Sequence, residues 1–236
     1  MKPYSDTDSM KQANSAGEGR RTRVLIVTAV DAEKEAVLRG LQGTGGIDVI
    51  AAGVGPASAA AETAAMLAQH GPGYGLVISA GIGGGFAGRA DIGSIVVSDA
   101  IHAADLGAET QDGFLSVDEL GFGTARAAVS EDWSSALYAA IQAAGMPVCL
   151  GPVLTVSTAT GSAGTAAALA KRIPGAAAEG MEGYGVAVAA SKRGIPAVEL
   201  RAISNAVGPR DRAAWRIGDA LSALETACQA LREVLE

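Results

Sequence analysis

Four short segments combine side chains capable of chemistry with the bare backbone that close approach to a ligand requires. The first is acidic, Asp31-Ala32-Glu33-Lys34-Glu35. Carboxylates in a first helical turn complement the helix dipole while remaining solvated, and that reading is open to all three. Glu33 has a second one, because residues just past the carboxyl end of a strand in a layered α/β sheet face the ligand crevice. The second segment is a pair of glycine clusters, Gly53-Val54-Gly55-Pro56 and Gly81-Ile82-Gly83-Gly84-Gly85. Each is expected to end a strand, either as a tight turn or as a cradle of backbone N–H groups for a sugar or an anion. The third, Glu179-Gly180-Met181-Glu182-Gly183, sets Glu182 at the start of a helix between two glycines. A carboxylate there accepts two hydrogen bonds from a vicinal diol, or is a solvated first-turn acid. Met181 packs against such a ligand or into the core. The fourth is Arg201-Ala202-Ile203-Ser204-Asn205, the end of an apolar strand. Charge inside such a strand is costly unless paired, so Arg201 either pairs internally with a carboxylate or faces the crevice.

Other constellations carry less. Asp99, His102 and Asp105 form a possible metal or proton-relay set built on a single imidazole. Ser157-Thr158-Ala159-Thr160 offers hydroxyls without the G-x-S-x-G elbow of acyl-enzyme chemistry. The glycines at 81–85 miss the G-x-G-x-x-G spacing of a dinucleotide site. With two histidines, a three-histidine metal site is excluded. The two cysteines, Cys149 and Cys228, sit in no C-x-x-C pattern, which argues against a disulfide scaffold or a cysteine-ligated zinc and for a reducing, cytoplasmic setting.

The elements that must position these residues follow from texture. Residues 1–23 are polar and read as a disordered leader, leaving 24–236 as one domain. Within it β-branched runs alternate with alanine-rich helical stretches. Expected strands lie at Val24–Val30, Asp48–Val54, Leu76–Ala80, Ser94–Ala100, Val153–Ser157 and Ala197–Ser204. Expected helices lie at Asp31–Gly40, Pro56–His70, Ser162–Arg172, Met181–Arg193 and about Arg212–Val234. Continuous apolar strands such as Leu25-Ile26-Val27 imply a sheet covered on both faces, hence an α/β layered fold. The glycine-bearing stretch Asp105–Gly123 has little periodicity and reads as a lid or binding loop. The 236 residues suffice for one sizeable core, no apolar run reaches the length of a membrane span, and 18 basic against 25 acidic residues with 4% aromatics disfavour nucleic acid as a partner.

These pieces together resemble the nucleoside phosphorylase and nucleosidase superfamily, and within it the futalosine hydrolase family, over roughly residues 24–235. The resemblance rests on Thr28-Ala29-Val30-Asp31-Ala32-Glu33, Ala52-Gly53-Val54-Gly55-Pro56, and Ser79-Ala80-Gly81-Ile82-Gly83-Gly84-Gly85-Phe86. It continues through Ala104–Thr110, Gly180-Met181-Glu182-Gly183 and Arg201–Asp211. It implies a three-layer fold with a central mixed β-sheet flanked by helices. It further implies hydrolysis of the N-ribosidic bond of futalosine, with release of hypoxanthine and dehypoxanthine futalosine in menaquinone biosynthesis. No metal and no organic cofactor enter, and a homo-oligomer that can complete a site across an interface is expected.

Residue by residue, Glu33 matches the family's water-activating glutamate and Glu182 the glutamate that holds the ribose 2′- and 3′-hydroxyls. Arg201 then orients Glu33 or the water. Gly53, Gly55, Gly81, Gly84, Ser157 and Met181 complete the expected substrate contacts, and Asn205 the catalytic pair. Adenine-specific members end the last motif in Asp where this chain has Asn205. An amide NH2 suits a 6-oxo acceptor while its carbonyl accepts from N7–H, which points to hypoxanthine. Those members also carry Glu where this chain has Gly180. The alternatives are a purine nucleoside phosphorylase acting on 6-oxopurine nucleosides, a non-catalytic nucleoside-binding module and, more distantly, a dinucleotide oxidoreductase.

Overall fold

A computed structural model describes residues 23–70 and 73–235. The expected leader lies outside the described residues except Arg23, which opens the first strand rather than ending the leader and donates to Asp48. In chain order the elements are β1 (Arg23–Thr28), α1 (Asp31–Leu41), β2 (Ile47–Ala51), α2 (Pro56–Gln69), β3 (Tyr74–Gly85) and β4 (Ile95–Ala103). Next come β5 (Gly107–Thr110), β6 (Gly113–Ser116), β7 (Arg126–Ala127), α3 (Glu131–Ala143), β8 (Val148–Thr155) and α4 (Ala163–Arg172). The chain continues through β9 (Ala178–Gly180), α5 (Gly183–Ser191), β10 (Ala197–Ala206), a 3₁₀ turn at Arg212–Ala214, α6 (Ile217–Ala230) and α7 (Arg232–Leu235).

Among the described residues eight strands form one mixed sheet. β1 pairs in parallel with β2 and β3, and β3 in parallel with β10; β10 runs antiparallel to β4, and β9 antiparallel to β3. Because β4 also pairs with β8 and β8 with β9, the ladder closes on itself through β3, β10, β4, β8 and β9. Closure removes free edges from that half of the sheet. The period-2 alternation of β1 explains the layers. Val24 and Ile26 pack with Ala36 and Val37 of α1 and Leu224 and Ala227 of α6. Leu25 and Val27 face the other way, against Ala59 and Leu67 of α2 and Val186 and Ala190 of α5. The sheet is thus sandwiched between helices, as the three-layer expectation required.

Several boundaries differ from the sequence reading. The Gly81–Gly85 cluster is no turn; β3 runs straight through it for 12 residues. A Cβ on Gly83 would lie 2.6 Å from the Glu179 carbonyl oxygen of the neighbouring strand, so the glycines serve close strand contact rather than reversal. The 105–123 stretch carries an antiparallel hairpin, β5 with β6. α3 and the three-residue β9 were not expected at all. The final helix is interrupted, with the 3₁₀ turn and Trp215–Arg216 separating residue 212 from α6.

Candidate active site

At the carboxyl ends of β1, β3 and β10, where open crevices form in such sheets, lies a cavity of about 270 Å³. Glu33, Met181, Glu182 and Asn205, expected from three separate segments, all line it.

Glu33 is 4% exposed. Its Oε2 accepts from the backbone N–H of Ala29 at 2.9 Å and of Val30 at 3.3 Å, and its Oε1 from that of Ile82 at 2.8 Å. As the third residue of α1 it thus supplies the carboxylate half of a capping box, satisfying the N–H of Val30 at the N-cap. The carboxylate also ties α1 to the glycine half of β3. A Cβ on Gly81 would sit 2.6 Å from Glu33 Oε1 and 2.8 Å from Arg201 Nη1, so only glycine leaves room for both groups.

Glu182 is 5% exposed and stands at the N-cap of α5 without capping it; the Tyr184 N–H is taken instead by Thr155 Oγ1 at 2.8 Å. Its own Oε1 accepts from the N–H of Gly55 at 3.2 Å, and its Oε2 from the N–H of Met181 at 3.2 Å and from Arg201 Nη2 at 3.0 Å. Gly55 can make that contact because its φ of 94° opens α2 in a conformation that side chains avoid. Both carboxylates are therefore buried and hydrogen-bonded, not the solvated first-turn acids that either segment alone allows.

Arg201 takes the internal of its two options. It is 1% exposed, does not line the cavity, and donates to Glu199 Oε1 at 2.8 Å and Ile82 O at 3.2 Å as well as to Glu182. No hydrogen bond joins it to Glu33, so a direct contact with substrate or an orienting bond to Glu33 is not what this arrangement provides. Its guanidinium lies against Gly180, where a Cβ would stand 2.8 Å from Cζ; this is why the residue before Met181 is glycine here. Burial works against the Arg201 charge, but the carboxylates of Glu199, Glu182 and Glu33 outweigh it and hold its pKa above the ordinary guanidinium value. Glu199 shows the other side of the balance. Burial raises its carboxyl pKa despite Arg201, consistent with an Oε2 that has no hydrogen-bond partner among the described residues.

Asn205 reaches the cavity through a β-bulge. The β10–β3 register shifts between Ile203 and Asn205, pairing Asn205 with Gly84, and bulges re-aim side chains in this way. Asn205 Oδ1 accepts from Ser204 Oγ at 2.8 Å and Nδ2 donates to Ala206 O at 3.0 Å. One lone pair and one N–H of the amide remain for a ligand. Arg210, whose guanidinium lies 5.3 Å over the Trp215 ring, supplies the one cationic side chain of the lining among the described residues.

The other expected contacts divide. Gly84 lines the cavity, whereas Gly53, Gly55 and Gly81 stand behind it, the last two holding Glu182 and making room for Glu33. Ser157 is exposed outside the lining, and its N–H donates to Asp105 Oδ2 at 2.6 Å; Ala159 and Thr160 line the cavity in its place. With Asp105 so engaged and Asp99 and His102 lining a different cavity, the proposed relay set does not assemble. Among the described residues no group of three His, Cys, Asp or Glu is placed to hold a metal ion, and no helix is long and apolar enough to cross a membrane. One residue escaped the sequence reading. Glu179 of β9 lines the cavity, 7% exposed, with its carboxylate accepting from the N–H and hydroxyl of Thr160. Burial, with the charge of Asp105, raises its pKa against those two bonds. The signal was present, since Glu179 precedes Gly180-Met181-Glu182 directly, but alternation within so short a strand is not visible.

Residues 25–236 match the phosphorylase superfamily profile. The chain is 54% identical over 231 residues to a futalosine hydrolase of Streptomyces coelicolor, covering 90% of this chain and 96% of that protein. It is 34% identical to a futalosine hydrolase of Thermus thermophilus, covering 82% and 84%. Among solved structures, the native futalosine hydrolase of Helicobacter pylori superposes with a TM-score of 0.77 at 18% identity, over 91% of this chain and 98% of that one. A 5′-methylthioadenosine/S-adenosylhomocysteine nucleosidase from Neisseria meningitidis, in complex with methylthio-immucillin-A, gives 0.76 at 18% identity, over 90% and 99%.

Proposed function

The chain belongs to the phosphorylase superfamily, and on that footing we propose that it hydrolyses the N-ribosidic bond of futalosine, releasing hypoxanthine and dehypoxanthine futalosine for menaquinone biosynthesis. The observation that carries this reading is the meeting, in one cavity, of two buried carboxylates from distant segments, Glu33 and Glu182, with the amide of Asn205. Futalosine as substrate comes from the names of the relatives.

Glycoside cleavage develops oxocarbenium character at the anomeric carbon. Glu33, fixed by three backbone N–H groups, takes a proton from water and offsets the positive charge of the sugar. Glu182, locked by Gly55, Met181 and Arg201, accepts from the ribose 2′- and 3′-hydroxyls. Asn205 donates to O6 and accepts from N7–H as the base departs, N7 taking its proton from solvent while the proton gained by Glu33 is returned there. Arg201 is a positioning residue: it holds Glu182 from behind. Glu33 in the lining disfavours a phosphate nucleophile, and Arg210 is the single cation of the lining among the described residues to offset that, so hydrolysis is favoured over phosphorolysis.

The protein works in the cytoplasm as a homo-oligomer in this reading. Support comes from two free thiols, Cys149 and Cys228, and from large apolar side chains left in solvent at Leu106, Leu115 and Phe122, the last 84% exposed. Purified protein incubated with futalosine should release hypoxanthine without phosphate. Strict phosphate dependence with a sugar 1-phosphate product would make it a phosphorylase; ligand recovered intact would make it a binding module.

A further inference from the structure

The reaction as derived leaves the one cation of the cavity lining, among the described residues, without a ligand. We propose that Arg210 is a specificity-determining residue for the 5′ arm of the substrate, pairing with a carboxylate carried on an aromatic ring. The inference deepens the hydrolase reading and rests on it for the identity of the arm, which in futalosine is a ketone ending in a carboxyphenyl group.

Glu33, Glu179 and Glu182 are all buried and line the cavity together. A neutral nucleoside meets no penalty there, but an anionic one is repelled unless a cation is set at its charged end. Arg210 is the cation so placed. The ion pairs among the described residues engage Arg23, Arg39 and Arg201, and the Arg210 guanidinium is left with the Trp215 ring, 5.3 Å from its centroid. The planar fork of a guanidinium matches a carboxylate in two parallel hydrogen bonds, and an indole beside it offers its surface to a second aromatic ring.

The loop that presents the pair is pinned at both ends. After Asn205, the N–H of Val207 donates to Gly85 O at 2.8 Å, and before α6 the N–H of Arg216 donates to Ser204 O at 2.8 Å. Between them Asp211 caps the 3₁₀ turn by accepting from the N–H of Ala213 at 3.1 Å. Arg210 is exposed and Trp215 half-buried, so the pair stands at the open side of the cavity. Val30 and Val54 line the same cavity while 42% and 56% exposed, which makes its mouth apolar. With the base on Asn205 and the diol on Glu182, the substituent left to occupy that mouth is the one on C5′. An arm that is apolar along its length and anionic at its tip fits walls of valine and indole that end in a guanidinium. An Arg210 engaged in this way is also withheld from phosphate, in keeping with hydrolysis.

The test uses dehypoxanthine futalosine, which keeps the sugar and the arm and is not turned over, beside its carboxamide, which matches the acid in shape without its charge. Calorimetry on wild type at low salt should show the acid bound tighter by on the order of tenfold, the lower end for a hydrogen bond to a charged group because Arg210 is exposed. Arg210→Met should bring the two ligands within about threefold, and Arg210→Glu should reverse their order. Arg212→Met, close in sequence but outside the lining, should keep the wild-type ratio. Equal binding of acid and amide by wild type overturns the proposal, as does failure of both to bind. An unchanged ratio in Arg210→Met, the result for a residue that only shapes the loop, overturns it too. So does an equal fall in Arg212→Met, which would mark a diffuse effect of charge. Failure of wild type to release hypoxanthine from futalosine would refute the hydrolase reading separately, since the binding ratio is read without catalysis.

Discussion

Arg201→Met places a side chain of similar length where a guanidinium now joins three elements. The structure sets the expected size of the effect. Arg201 is 1% exposed and donates to Glu199 at 2.8 Å, Glu182 at 3.0 Å, Ile82 O at 3.2 Å and Ser79 Oγ at 3.3 Å. Removing one partner of a buried ion pair costs about 3–5 kcal/mol, because the charges left behind are uncompensated. For a domain of this size 1 kcal/mol corresponds to roughly 2–4 °C in Tm, so a loss on the order of 10 °C is expected near neutral pH. The pH dependence carries the sharper claim. Burial already raises the pKa of Glu199 in the presence of Arg201, and loss of the cation raises it further. A carboxyl whose folded pKa exceeds its unfolded one favours folding most below the unfolded value, and that contribution is lost as pH rises through the folded value. The difference in Tm between wild type and variant should therefore be small near pH 5 and largest at pH 8. Adding Glu199→Gln to the variant should recover part of the loss at pH 8, since one buried charge disappears. Thermal unfolding by circular dichroism across that pH range checks all three points. A variant that melts within about 2 °C of wild type at pH 8, or a difference that does not change with pH, would refute the account of a buried charge cluster.

Glu33→Gln should lower kcat by about 10²–10⁴, the usual worth of positioned proton transfer. It should also lower stability by about 1–3 kcal/mol, because an amide NH2 must face backbone N–H groups that now donate to carboxylate oxygens; retention of more than a tenth of kcat would remove Glu33 from the role of base. Glu182→Gln should raise KM and lower kcat together, and a 2′-deoxy substrate should lose less in the variant than in wild type. Equal losses with both substrates would make Glu182 a structural anchor only. Asn205→Asp should reduce or invert the preference for futalosine over aminofutalosine, most visibly at acidic pH, where a protonated aspartate pairs with N7 and a 6-amino group; kcat/KM for both substrates from pH 5 to 8 measures it, and an unchanged ratio would show that Asn205 does not select the base.

What the sequence disclosed and what it hid have physical causes. β1, α1 and β10 were legible because continuous apolar runs met abrupt polar ends, and the same contrast put Glu33 and Asn205 forward, while the flanking glycines put Glu182 forward. The glycine half of β3 misled because glycine usually marks reversal, whereas here each missing Cβ admits a neighbour: Arg201 and Glu33 at Gly81, the Glu179 carbonyl at Gly83. α3 carried a readable start, with Ser130 accepting from the N–H of Trp133 and acids at 131 and 132, and was overlooked beside the irregular segment before it. Glu179 lay beyond pattern reading, since its place in the site comes from a rung between strands 95 residues apart in sequence, from Gly84 to Glu179. The choice Arg201 made between the crevice and an internal partner depended on Glu182 converging with Glu199 from a second element, which spacing along one chain does not reveal.

The glycine-rich half of β3 also bears on how this site can diversify. A methyl group at Gly81, Gly83 or Gly84 would come within 2.9 Å of a neighbouring atom, and backbone is the obstacle at Gly83 and at Gly85. The floor under the ligand is thus nearly closed to variation by single substitution, and libraries randomising it should return mostly unfolded clones. The walls are different. Ala159, Thr160, Arg210 and Trp215 line the cavity from loops and turns outside the sheet, where loops absorb change at little cost to the scaffold. New substrate preferences, whether drifted or selected in the laboratory, should be found in the 157–161 and 206–215 segments, with the glycine strand retained as an invariant bed.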